Sequence, residues 1–426
     1  LLLTIVAVPL VLVLLLKMKG YAEHPKALNS TIILAIVLVV VIAPKILFNL
    51  GSYGLFADPD CTLYIKDSNL LSLTGHIPPP ATNFAEDPYY SAYPAFTLII
   101  NAISQVLGVT STMAMYIVNV IIQLMFWMGT WLLLTKILPQ KGAISLSIII
   151  AAFGNVYLYG YLGVPLPQTM GLSILLLMLL FALERATLGN TIVFILLSIL
   201  GLVHVGVIPV LLAVLALEFG VQHFFRLGAN RPLHSSANPF IPFVIYTSYL
   251  VFTPALRSFL GYFGDILHFF SVLPQATAVS PGISRSFAFL NATAPAFIIG
   301  TNLALLAWFI IRQRQKHSTI CSLGAGVALA AILLIGVGTL KQRFDVMEGF
   351  GSISRYFALP GYALGAIGTL IVLNVAICPI ILDEKQNRAV RAFLVLIIIL
   401  IAVGGLLDPF AFRPLAWRLG ILNTLT

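Results

Sequence analysis

Thr31–Leu50 reads TIILAIVLVVVIAPKILFNL, and Gly51–Asp60, GSYGLFADPD, follows it directly. The first segment carries a single charge, Lys45, and as a helix it matches the hydrocarbon thickness of a bilayer. The second opens a polar interruption that runs from Gly51 to Ala92 and closes with Glu86-Asp87-Pro88-Tyr89-Tyr90, just before the next apolar run. Five carboxylates, Asp58, Asp60, Asp67, Glu86 and Asp87, thus stand in one loop where a membrane meets water. Negative charge is costly there unless a cation, a base role or a ligand uses it.

Outward from this loop the chain is apolar nearly throughout. With 60% hydrophobic and 9% charged residues in 426, it has too few charges to cover a water-soluble globule. Further apolar segments lie at 1–16, 112–135, 142–159, 167–184, 190–220, 237–256, 293–311, 318–340, 357–382 and 392–407. Ten-residue alternation, the mark of a membrane barrel, is absent, so the segments predict helices. Two of them leave the parity of crossings open: 93–108 either crosses or only re-enters, and 190–220 is one long tilted helix or two short ones meeting near His204.

Charge chooses between these. With 93–108 re-entrant or interfacial and 190–220 a pair, 14 of the 23 Lys and Arg fall in short connections on one side, among them Lys136, Lys141, Arg185, Arg312 and Arg391. Nine of the 14 acidic residues then fall on the other. The positive-inside rule makes the basic side cytoplasmic. The expected fold is all-α: a polytopic transmembrane helical bundle of about twelve spans, with a re-entrant or juxtamembrane helical first extracytoplasmic loop. The chain is read as one transmembrane domain over 1–426, with extracytoplasmic loops at 51–111, 257–292 and 341–356. The localisation that follows is integral membrane, in the plasma membrane, with the acidic loop outside.

Leu1–Leu16 resembles a signal-peptide core, but Lys17 and Lys19 follow it rather than precede it, which predicts a retained helix. The net charge of +9 comes from basic residues scattered between apolar runs, so a nucleic-acid partner is excluded. Three cysteines, Cys61, Cys321 and Cys378, are too few and dispersed for a disulfide framework or a zinc cluster. No Walker, zinc-protease, haem-attachment or hydrolase-elbow motif is present, which disfavours ATP-driven transport and hydrolysis.

The candidate chemistry starts at Asp58 and Asp60, which flank Pro59. A residue before proline is pushed toward extended backbone, and positions two apart on an extended chain point the same way. Both carboxylates can then face one site, as a general base beside a metal ligand or as two ligands of Mg²⁺ or Mn²⁺. The same residues also suit a solvated turn. Glu86 and Asp87 precede Tyr89, Tyr90 and Tyr93: tyrosines at a membrane boundary are commonly anchors, and with carboxylates they also make an aromatic-walled sugar site. Asp67 is expected to be a solvated helix residue. His204, the histidine deep in an apolar run, reads either as a buried hydrogen-bonded bridge or as a phosphate or sugar ligand. Arg257, Asp265 and His268 fall in the second outer loop, read as an acceptor-side lid.

A hydrophobic helix, an outer loop with an early Asp, the helix-like Leu63–Thr74 ending in Gly75-His76-Ile77-Pro78, and Tyr93-Pro94-Ala95-Phe96 opening an apolar helix together resemble the start of GT-C glycosyltransferases. Ser354-Arg355-Tyr356-Phe357-Ala358-Leu359-Pro360 resembles the Arg-Tyr and proline start of a late helix in that superfamily. The resemblance implies an inverting enzyme that uses a polyprenyl-phosphate-linked sugar donor in the membrane lipid, with Asp58 or Asp60 as catalytic base. In this topology Lys341, Arg343 and Arg355 lie at or near the outer membrane face, suited to the departing phosphate; their other role is ordinary flanking charge or pairing with Asp345 and Glu348. A second Asp-x-Asp and a Trp-Trp-Asp type motif with a large soluble C-terminal domain are absent, so single-sugar transfer is expected over en bloc oligosaccharide transfer. The competing readings are a secondary transporter or lipid-linked-sugar flippase, and a non-catalytic subunit of a larger membrane assembly. A transporter should carry ionisable residues at mid-membrane on broken helices, whereas these acids sit at the rim.

Overall fold

The structure is a computed structural model that describes residues 59–76, 93–137, 166–184, 187–224, 238–272, 298–311 and 319–343, with 357, 360–361, 364–365, 367–368 and 371–372. The described residues are helical, without strands. The helices are α1 (Pro59–Thr74), α2 (Ala95–Leu107), α3 (Ser111–Ile137), α4 (Pro167–Ala182), α5 (Leu188–Leu200), α6 (Val207–Phe224), α7 (Phe240–Phe252), α8 (Ala255–Val272), α9 (Ile298–Ile311) and α10 (Thr319–Arg343). The chain divides into two compact units, with α4 running from one into the other between Ser173 and Ile174.

In the first unit α1, α2 and α3 pack on one another. α1 holds α2 through an edge-on contact of Tyr64 with Phe96 at 5.0 Å and through a polar seam: Asn101 Nδ2 donates to the Ser68 carbonyl at 3.0 Å and to Ser72 Oγ at 2.7 Å. Ser68 Oγ also meets Ser111 Oγ at 3.0 Å, at the start of α3. α2 stops at Gly108, whose left-handed φ of 63° suits glycine and turns its N–H back onto the Ser104 carbonyl. Thr110 Oγ1 then caps α3 by accepting from Met113 N at 3.2 Å. The axes of α2 and of the first part of α3 differ by 111°.

In the second unit α6 and α10 form the most extensive helix pair. Gly326 lets them approach: a Cβ there would lie 2.8 Å from the Glu218 Cβ and 2.9 Å from the Val214 carbonyl oxygen. Between α5 and α6 the helix breaks as foreseen, through a 3₁₀ turn at Gly201–Val203 and an extended His204 (φ −142°, ψ 133°). Later, Pro360 is buried, and Gly361 and Gly365 come close to Ile335 of α10 and Ile298 of α9. Asn302 Nδ2 donates to the Gly365 carbonyl at 3.0 Å.

Among the described residues one helix, Val207–Phe224, is by itself long and apolar enough to cross a membrane, or three spans if each bent pair counts as one. With the apolar composition, these helices make the chain an integral membrane protein. The segment read as the start of the second outer loop is helical from Ala255 to Val272. One expectation is corrected. Asp67 is 7% exposed, because α1 turns it inward rather than toward water.

Candidate functional site

α1 begins at Pro59, which suits the first helical position because it has no N–H to satisfy. Asp60 therefore stands in the first turn, where a carboxylate is favoured by the helix dipole. Its side chain is not described, and Asp58, Glu86, Asp87, Tyr89 and Arg355 lie outside the described residues. Lys341 and Arg343 sit in the last turn of α10 as backbone only. Among the described residues no three His, Cys, Asp or Glu come together as a metal site.

In the second unit Tyr93 and the backbone just after His204 are linked through one further side chain. Tyr246 of α7 donates its hydroxyl to the carbonyl of Val205, the residue after His204, at 3.3 Å. The Tyr93 hydroxyl lies beside that of Tyr246 as its side-chain hydrogen-bonding neighbour. The Tyr93 ring also packs on Tyr249, centroids 5.8 Å apart, and Tyr246 meets Phe259 of α8 edge-on at 6.1 Å. Tyr93, His204 and Tyr246 are all buried. His204 Nδ1 accepts from Gly206 N–H at 3.1 Å, which puts the proton of the neutral ring on Nε2. Tyr246 thus ties α7 to the backbone just after the helix break at His204, with Tyr93 beside it.

Sequence reasoning missed Tyr246 and Tyr249, although their spacing of three in an apolar run puts both on one helix face. It also passed over Glu218, a buried acid in the helix most suited to crossing the membrane. Glu218 Oε1 accepts from Ser322 Oγ of α10 at 2.8 Å and from Gln222 Nε2 at 3.1 Å. Beside it a cavity of about 550 Å³ is lined by Leu215, Phe219, Gln222, Phe240 and Phe243. In the first unit α3 buries Asn119, Gln123 and Thr130, and Ser173 Oγ donates to the Ile122 carbonyl at 3.2 Å. A lone acid in an apolar run was the available signal for Glu218.

No protein-family model matches the chain. No curated protein matches it either. Among solved structures, the chain is similar to the crystal structure of the Archaeoglobus fulgidus oligosaccharyltransferase tethered to an acceptor peptide containing the NVT sequon. The identity is 14% and the TM-score 0.49, over 90% of this chain and 55% of that one. This chain thus spans about half the length of the structure it matches.

Proposed function

We propose that this protein is a membrane glycosyltransferase of the GT-C kind that transfers a sugar from a polyprenyl-phosphate donor to a lipid, glycan or protein hydroxyl at the extracytoplasmic face. The observation that carries the reading is the placement of the acidic motif. Asp58-Pro59-Asp60 leads directly into α1, and α1 is locked by Asn101, Ser68 and Ser72 onto α2, which turns through 111° into the apolar α3. In this reading the braced helix holds a carboxylate at its head in place, and positioning is what a general base needs.

Chemically, the acceptor hydroxyl loses its proton as its oxygen attacks the anomeric carbon, and the bond from that carbon to the phosphate oxygen breaks. Asp58 or Asp60 takes the proton, a contribution of about 10²- to 10⁴-fold for a placed carboxylate. Lys341, Arg343 and Arg355 stabilise the charge that grows on the departing polyprenyl phosphate. Tyr93, His204, Glu86, Asp87 and Tyr89 hold sugar or phosphate oxygens. Mg²⁺ or Mn²⁺, held by Asp58 and Asp60, would supply further charge neutralisation at the phosphate.

The test is transfer of labelled sugar from a synthetic polyprenyl-phosphate monosaccharide by the reconstituted protein, with a polyprenyl-diphosphate oligosaccharide as second donor. Asp58→Asn and Asp60→Asn, both folded, are expected to include one variant slower by at least about 10²-fold. Normal transfer by both variants removes the catalytic assignment. Transfer from the oligosaccharide donor alone replaces single-sugar chemistry with en bloc transfer.

A further inference from the structure

We propose that α8, Ala255–Val272, is a membrane-interface helix that lies in the outer leaflet with one apolar stripe in the acyl chains. The inference rests on α8 and its neighbour α7 and stands apart from the glycosyltransferase reading.

Leu256, Leu260, Phe263, Leu267 and Phe270 recur at steps of four, three, four and three, which places them in one narrow stripe along the helix. All five are exposed, from 39% at Leu256 to 57% at Leu260. A second side carries Ala255, fully buried, and Phe259, which meets Tyr246 of α7. The third side is polar or small and exposed: Arg257, Gly261, Gly264, Asp265, His268 and Ser271. The helix therefore has a packed side, a greasy side and a wet side, the division found where a helix rests at a membrane boundary.

The neighbouring helix says what covers the greasy side. α7 leaves Phe240, Phe243, Val244, Val251 and Phe252 exposed, Phe240 and Phe243 at the cavity beside Glu218, an apolar surface that the same lipid would cover. At Thr253 the helix stops, and α8 departs at 104° to α7. A right-angle turn off a lipid-facing helix carries the next one along the membrane plane, and the stripe of α8 continues the same apolar surface. A coiled coil with a second copy would use the same four-three spacing. Its flanking positions should then carry complementary charges, but here they hold Gly264 and Ser271 on one side and Phe259 and Ile266 on the other.

The test uses the full chain in phosphatidylcholine–phosphatidylglycerol vesicles, with an environment-sensitive fluorophore on cysteines introduced one at a time. Leu260→Cys and Leu267→Cys report the stripe, and Gly264→Cys and Ser271→Cys the wet side; the unsubstituted chain gives the background. A Cβ at Gly264 meets nothing within 4 Å, so that variant folds without repacking. The stripe labels are expected to lose most of their emission to nitroxide lipids carrying the spin high on the acyl chain, and little to aqueous iodide. The wet-side labels are expected to show the reverse. Stripe labels quenched by iodide overturn the proposal in favour of a water-exposed helix. Stripe labels shielded from both quenchers overturn it in favour of a protein partner or a second copy. Stripe labels quenched best by spins at the chain end overturn it in favour of a spanning helix.

Discussion

At the scale of single residues, burial changes what a side chain does more than its type does. Asp67 sits on α1, in the polar stretch between two apolar runs, and the sequence alone suggests it points to water. In the structure it is turned inward, and desolvation raises its carboxyl above the ordinary Asp range, against the weaker opposite pull of the Lys66 charge. A raised native pKa means that the folded state holds the proton more tightly than the unfolded state. The stability penalty is then present above the native value and disappears as pH falls toward the unfolded value of 3.8. Asp67→Asn is expected to raise the thermal midpoint in detergent at pH 7, with the gain over the parent shrinking toward pH 4. An unchanged midpoint at pH 7 would mean that Asp67 is solvated. His204 is settled locally in another way: the Gly206 N–H on Nδ1 leaves Nε2 as the donor.

Between elements, close approach in the membrane depends on small residues, because lipid offers no hydrophobic drive for one helix to seek another. α6 and α10 meet where Gly326 faces Val214 and Glu218, and the Ser322 hydroxyl adds a hydrogen bond to Glu218 across the same contact. Gly326→Ala forces the helices apart, since the new methyl would meet backbone. The expected loss is about 1–3 kcal/mol in unfolding free energy. Gly336→Ala, with nothing within 4 Å of its Cβ, serves as the control and should be close to neutral. Equal midpoints for the two variants in a detergent melt would remove Gly326 as the point of closest approach. The same logic explains how the late segment packs, where Gly361 and Gly365 admit Ile335 and Ile298.

For the whole molecule the open matter is the path through the membrane. By the positive-inside rule we propose that the segment around Ser318 is inside and that around Ser284 outside. Cysteines placed at these positions should react with a membrane-impermeant maleimide in opposite ways. Ser284→Cys is expected to label in intact cells, and Ser318→Cys only after permeabilisation. Labelling of Ser318→Cys in intact cells would reverse the topology and move the acidic loop to the cytoplasm.

Helix and membrane were legible in the letters because they depend on local quantities: run length, the scarcity of charge and the sign of the flanking residues. The break at His204 followed from length and charge alone. The partnership of Tyr93 with Tyr246 and the inward turn of Asp67 were beyond sequence reasoning, since both arise from contacts between segments far apart in the chain. Composition by itself committed the chain to helices in lipid, because an unpaired backbone amide cannot be tolerated there. Which side chains face one another was left to packing, a property of surfaces that come together only in three dimensions.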